Sequence, residues 1–407
     1  MSRIRSTLES LHREAVTNRP SRLYEHNLAL LEHRSELQHI SRLFVHFEQS
    51  AEEVMELIRL QMPEETCTDE DTMVLASESL EIITRRLGVE KPRLSQESLK
   101  DTIISLWRRL VNALQAIWRR VVDFIRSVLK TIRKNSQDVT AEIKSLQHIL
   151  RENPDATKQQ PAHFEDATLY HAFNHGRVVT PNDLLTLLEH HRIQSLRLIE
   201  HAKELSILDE AGEAILSRAA KNESVTLDEV RLYLEKRLAL LHTLIETDAA
   251  KRRSLTLYGN RYYEVDTKIT EEDDRLTVEI HTDFLEAEDY DDAPQPIEPI
   301  ELSSLSDLYE IIKAQDRYQD TIDALAESLL QGIKSFSNTI EVLFRNAPQD
   351  AESLNVAYSL IPFMSAFGAE LGQYAMQLEN LNLQAHTAAY RYVRLSQDYY
   401  LGQSESQ

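Results

Sequence analysis

The chain of 407 residues holds one cysteine, Cys67, so an internal disulfide and a thiolate cage for a metal are both excluded. Glycine occurs eight times and proline eleven times, well below ordinary usage. Sandwiches, barrels and flexible linkers consume those residues at their turns, so the shortage points to long helices. Also missing are a Gly-rich phosphate loop, a GxSxG elbow, a dinucleotide fingerprint, a kinase signature and an HExxH pair. Cys67 sits among Glu64, Glu65, Asp69, Glu70 and Asp71, a setting that disfavours a reactive thiolate. No catalytic residue, metal site or cofactor is indicated, and the expectation is a non-enzymatic protein.

Two histidine groupings are the nearest approach to chemistry. His171 and His175 stand at i and i+4, with His163 or Glu165 as a conceivable third ligand. Glu189, His190, His191 and the later His201 fall on another helical pattern. Fifteen histidines supply such pairs by chance, and neither grouping completes a site.

The N-terminus, MSRIRSTLESLHREAV, carries Glu9 and Glu14 and has no apolar centre, unlike a secretory signal. The most apolar stretch, Ser353 to Ala369, contains Pro362 and is closed by Glu370. It is too short to span a bilayer and reads as core.

Sixty-seven acidic residues stand against 45 basic ones, a formal net charge of −22. Nucleic acid repels such a protein as a whole and can be met only by a local basic surface. One exists. Residues 1–99 carry about −6 and the remainder beyond residue 135 about −23, but residues 100–135 carry about +7.

Pro20-Ser21 reads as the start of a helix reaching about Leu60, with a heptad series Leu23, Leu30, Leu37, Phe44, Ala51, Ile58. The companion positions His26, His33, Ile40, Phe47 and Val54 complete a coiled-coil-like seam. Its two histidines lie about 10 Å apart along the helix, too far to share an ion. An acidic linker (62–72), a helix from about Met73 to Leu87 and an exposed connector (88–97) follow.

The basic island, Ser98–Asn135, is amphipathic. Trp107, Leu114, Trp118, Val121 and Ile125 mark an apolar docking arc of roughly 160°. Arg108, Arg119, Arg126, Lys130 and Arg133 lie opposite, with Arg109, Arg120 and Lys134 beside them. Three uses fit: phosphate contact by the basic face, insertion at a membrane interface by the apolar arc, or bundle packing with the basic face paired to acidic neighbours.

Further on, Thr180-Pro181-Asn182-Asp183 predicts a sharp helix start, running to about Ser206, with two more helices within 209–250. Period-two patterning then predicts a three-stranded antiparallel meander from SLTLY (254–258), RYYEVDT (261–267) and RLTVEIHTDF (275–284). From about Ser303 to Leu401 the helical pattern returns, with breaks expected near Asn346–Pro348 and at Pro362. Tyr390, Tyr392, Tyr399 and Tyr400 read as packing along this last helix, with base stacking as the other use. The organisation is mainly α with a small sheet. Its segments are an acidic coiled-coil-like region (1–97), the basic helix and linker (98–160), helices (161–250), the sheet (251–285), an acidic linker (286–302) and a C-terminal helical region (303–407).

The order of parts carries a resemblance. An acidic helical segment ends in Ser95-Gln96-Glu97, a Trp-containing amphipathic helix starts at once, and helices, LTLYGNRYYEV and the tyrosine-bearing AAYRYVRLSQDYYL follow. In this order the chain resembles the internal head, or internal virion, structural proteins of large tailed bacteriophages. The resemblance implies a location inside the capsid, with assembly in the host cytoplasm. It implies contacts with capsid, sibling virion proteins or further copies of the chain, and with packaged DNA. It also implies trimming after a small residue, any residue and Glu, here Ser95-Gln96-Glu97 with the cut before Ser98. The same pattern recurs at Ser50-Ala51-Glu52, Ser79-Leu80-Glu81 and Gly368-Ala369-Glu370. The residues leave two other readings open: a scaffold oligomerising through the N-terminal seam, and a membrane-active ejected protein.

Overall fold

The computed structural model describes residues 2–61, 99–152, 163–173, 178–201, 204, 209–221, 223–272, 275–286, 296–315, 330–335, 337–339, 341–342 and 351–405. The connector 62–98, with Cys67 and Ser95–Ser98, lies outside them. The protein is mainly α, and three long helices make its frame. They are α1 (Ser2–Gln61), α2 (Leu99–Glu152) and α8 (Ala351–Glu405), each about 80–90 Å long.

Cross-contacts fix the helix directions. Phe44 of α1 meets Trp118 of α2 and Gly372 of α8. Eighteen residues earlier, His26 meets Asp138 and Tyr390. So α1 runs antiparallel to both partners, and α2 runs parallel to α8. Asn135–Thr387 (3.5 Å), Ser136–His386 (3.4 Å) and the bond from Gln397 to the Glu142 carbonyl (2.6 Å) hold that parallel pair.

α8 is the centre of the molecule. From Val356 to Tyr400 it is buried on nearly every side, by α1, α2, the α4 helix (Pro181–Glu200) and the β-hairpin. Both prolines expected to mark helix boundaries lie inside helices instead. α1 begins at Ser2 and passes through Pro20, and α8 passes through Pro362. A proline inside a helix costs about 3 kcal/mol. At Pro362 the buried neighbours Leu360, Ile361, Phe363 and Met364 offset it.

The shorter helices are α3 (Ala167–Phe173), α4, α5 (Glu210–Ala220), α6 (Leu227–Ile245) and α7 (Leu302–Gln315). α4 starts where the sequence says it should: Pro181 is its first residue, and the Asp183 carboxylate reaches back to Thr180 N and Oγ1, both 2.8 Å away. Asp209 caps α5, and Thr226 with Glu229 caps α6. α2 runs 17 residues past the predicted end of the basic helix, to Glu152.

The sheet departs from the prediction in strand count. β2 (Arg261–Glu272) and β3 (Arg275–Glu286) form one antiparallel hairpin, in register from Arg261↔Glu286 to Glu272↔Arg275. Residues 254–258 meet β2 at two points, where Ser254 N donates to the Tyr263 carbonyl (2.8 Å) and Leu257 N to the Arg261 carbonyl (2.7 Å). Between and beyond these points the amides go elsewhere: Leu255 N to Thr247 Oγ1, Tyr258 N to His191 Nε2, and the next residue's Gly259 N to the Ala172 carbonyl. With these amides taken by other partners, no third ladder forms. Gly259 and Asn260, at φ +73° and +55°, make the tight turn back into β2. The 286–302 segment is also more than an acidic linker. Its Pro296–Ile297 is β4, paired with β1 (Phe164–Glu165), and Ile297 and Ile300 are core.

Candidate interaction surface

The five apolar docking residues of α2 are all interior. Trp107, Leu114, Trp118, Val121 and Ile125 are buried, and Trp118 meets the Phe44 ring edge-on at 6.2 Å. The α1 seam faces the same core: Ile40, Phe44, Phe47, Ala51 and Val54 are buried among α2 and α8 of the same chain. The seam histidines are pinned individually. His26 Nε2 lies 3.2 Å from Asp138 Oδ2, and His33 Nε2 lies 3.1 Å from Thr131 Oγ1. Burial opposes ionisation of Asp138, yet the bond to His26 and the charge of Arg22 outweigh it and hold the carboxyl below its usual range. Burial holds His33 below the ordinary imidazole value.

The eight basic residues separate into two sets. Those on the flank are engaged within the fold. Lys134 Nζ donates to Glu25 (2.8 Å), Arg120 lies 3.6 Å from Glu36, and Arg109 is buried. The others face solvent. Arg108, Arg119, Arg126, Lys130 and Arg133 are exposed; Arg108 bonds Glu341, and Arg126 lies 3.7 Å from Asp123. Arg119 and Lys130 have no partner among the described residues.

The helix's extra length extends this line beyond the predicted face. Arg108, Arg119, Arg126, Arg133, Lys144 and Arg151 are spaced by 11, 7, 7, 11 and 7 residues. Those intervals return to one side of an α-helix. All six are exposed, giving a row of cations about 65 Å long. Lys144 and Arg151 fall outside the basic face read from the sequence, and the 7/11 spacing is the signal that could have found them.

A second polar grouping is interior. Around α8, Ser195 Oγ donates to Glu379 Oε1 (2.9 Å), Asn382 Nδ2 to Glu379 Oε2 (3.3 Å), and Gln194 Nε2 to Tyr374 OH (2.8 Å). Burial pushes the Glu379 carboxyl up. It pulls His191 down to about 3, helped by His386 and His190, and His386 down to about 4. Two neutral imidazoles are a chargeless way to bury histidine, and the buried Glu379 carboxyl is met by hydrogen bonds from Ser195 and Asn382. Their place between packed helices makes them parts of the core.

Of the other residues singled out, His171 is exposed on α3, while His175 lies outside the described residues. His190 Nδ1 is 2.8 Å from the Thr256 carbonyl, and Glu189 pairs with Arg192. Tyr390, Tyr392 and Tyr400 are buried, and Tyr392 OH donates to the Glu298 carbonyl at 2.6 Å. Among the described residues no group of three or more His, Cys, Asp and Glu side chains is placed to hold a metal, and no helix is long and apolar enough to cross a membrane. Ser50 and Ala369, within two of the recurrent protease patterns, are buried in α1 and α8. No known protein-family model matches the chain, and neither does any curated protein or solved structure.

Proposed function

We propose that the protein is a non-enzymatic structural component of a bacteriophage virion, held inside the head, that meets packaged DNA through the cationic row on α2. The observation that carries this is the row itself: six cations in line on a chain of net charge −22, directed to solvent, while the apolar arc of the same helix is core. An acidic body with one basic ridge suits a protein confined with DNA. The ridge binds phosphates, and the rest of the surface limits how closely the duplex wraps it. Contacts with sibling proteins and capsid belong to the same proposal. A lipid-facing role for Trp107 and Trp118 would require the three-helix frame to open.

Retention on random-sequence duplex DNA tests the proposal, with the full chain and a variant carrying Arg119→Glu, Arg126→Glu, Lys130→Glu and Arg133→Glu. Six phosphate contacts give a slope of log K against log salt of about −5. The variant should lose retention at low salt, about 50 mM, while keeping its helical content. Equal retention by both proteins, or none by either at low salt, would refute the DNA contact. N-terminal sequencing from purified particles tests the virion assignment separately, a start at Ser98 showing maturation at Glu97.

A further inference from the structure

A groove of about 600 Å³ lies between α1 and α8 and is bounded by the 258–261 turn and the C-terminal end of β3. Its α1 wall presents Leu30, Arg34, Leu37 and Gln38. Its α8 wall presents Gln377, Asn380, Leu381 and Gln384. That boundary is aromatic, from Tyr258 and Phe284.

Three properties define what would fill it. First, half of the polar lining is side-chain amide (Gln38, Gln377, Asn380 and Gln384, beside Arg34, His171, Arg261 and Glu286), and much of that amide bonding capacity is unused. Gln377 Oε1 accepts from Tyr263 OH (3.1 Å), leaving its amide nitrogen over, and Asn380 Oδ1 is buried with no partner among the described residues. Gln377, Asn380 and Gln384 recur along one side of α8 over about 10 Å. Such a row offers both donors and acceptors to a main chain. Second, one formal charge on the lining is uncompensated. Arg261 is tied through Nε (2.9 Å) and Nη2 (2.6 Å) to Glu286, but Arg34 has no partner among the described residues. Third, the apolar surface continues past the groove along α1. Tyr24, Leu28 and Leu31, at i, i+4 and i+7, are 67%, 43% and 63% exposed. That is a longer apolar track than a small ligand covers.

We infer that this groove binds an extended acidic-apolar polypeptide segment of another protein, its main chain on the α8 amides, its apolar side chains against Leu30, Leu37 and Phe284, and a carboxylate on Arg34. The charge argument selects the acid. A basic segment would bring a second cation to Arg34 and find the lining's carboxylate, Glu286, already taken.

Fluorescence anisotropy on the full chain tests this. The probes are two fluorescein-labelled hexapeptide pools, one alternating Leu or Phe with Asp or Glu, the other with lysine in place of the acids. The acidic pool should bind at least about tenfold tighter. Arg34→Glu, an exposed substitution that leaves thermal unfolding in place, should reverse the preference. Asn380→Leu should weaken the acidic pool without changing its preference over lysine. Equal binding of the two pools, or an unchanged ranking in Arg34→Glu, overturns the inference. So does N-acetylaspartate competing as strongly as the peptides, which would mark a site for a small carboxylate. A dimer dissociated by Leu31→Glu, with no peptide binding, would assign the surface to a second copy and overturn it equally.

Discussion

Gly372 lies where all three long helices meet, and replacing it with alanine gives a test whose sign is decisive. On an exposed helix, Gly→Ala stabilises by about 1 kcal/mol through helix propensity alone. Here the added Cβ would stand 2.8 Å from Phe44 Cζ, 3.2 Å from Phe44 Cε2 and 3.4 Å from Trp118 Cη2. Neither ring can swing away, because both are fully buried and packed edge to face at an interplanar angle of 79°. Overpacking of this kind costs about 1–3 kcal/mol. After the propensity gain, Gly372→Ala should be destabilised by about 1 kcal/mol, read as a lower urea midpoint at unchanged slope. The double-mutant cycle sharpens the reasoning. In a Phe44→Leu background the obstructing ring end is gone, so the same Gly372→Ala change should become neutral or stabilising, a coupling of about 1–2 kcal/mol. If Gly372→Ala stabilises the otherwise unchanged protein, α1 does not approach α8 at this point, and the three-helix frame is wrong there.

Acid should weaken the fold in a defined window. His191 and His386, held at about 3 and 4 when folded, bind protons in the unfolded chain near 6.5, so their stability is complete above pH 6.5 and is lost as pH falls. By about pH 4.5 each costs about 2–3 kcal/mol, partly offset by Glu379, whose raised pKa favours folding as pH falls. Urea midpoints flat from about pH 7 to 4.5 would contradict the burial of both rings, and His386→Gln should flatten part of the slope. Trp118→Ala should destabilise by about 3–5 kcal/mol in the same assay, and a change under about 1 kcal/mol would place the ring at the surface. Asp166 caps α3 through Leu169 N (2.9 Å) and anchors Arg391 through Nε (2.9 Å) and Nη2 (2.5 Å). Asp166→Ala should cost about 2 kcal/mol and speed hydrogen exchange in α3 selectively, whereas uniform exchange across all helices would show that the clamp is not local.

What can be read from the sequence is what depends on near neighbours. The start of α4 follows from four consecutive residues, and the α1 seam and the α2 arc from their helical periods. What covers those faces is not readable, because it depends on α8. That helix is surrounded, so its sequence shows no clear polar side, and Glu379, Asn382 and His386 have the look of surface residues although they are buried. Pro362 departs from its local reading for a related reason, since local propensity yields where the buried neighbours Leu360, Ile361, Phe363 and Met364 supply more. Residues 254–258 have strand-like alternation, but the amides of Leu255, Tyr258 and Gly259 bond to Thr247, His191 and Ala172, partners that no window of neighbouring residues reveals. The charge of the basic island is visible at once. Its division into a flank paired with Glu25 and Glu36 and a solvent-facing row requires knowing where α1 lies.

The central position of α8 has a consequence for biosynthesis. The helix that fills the middle of the frame follows the end of α2 by roughly 200 residues, a delay of about 10–40 s at ordinary translation rates. Throughout that interval the nascent α2 carries Trp107, Trp118 and Val121 with α1 available to cover them but without the α8 surface that completes their burial. A newly made chain therefore presents a sticky amphipathic segment to chaperones and to neighbouring ribosomes. Its yield in cells should depend on how quickly α8 emerges, and synonymous codons that slow translation between Pro154 and Asp350 should lower the soluble fraction without altering a single side chain.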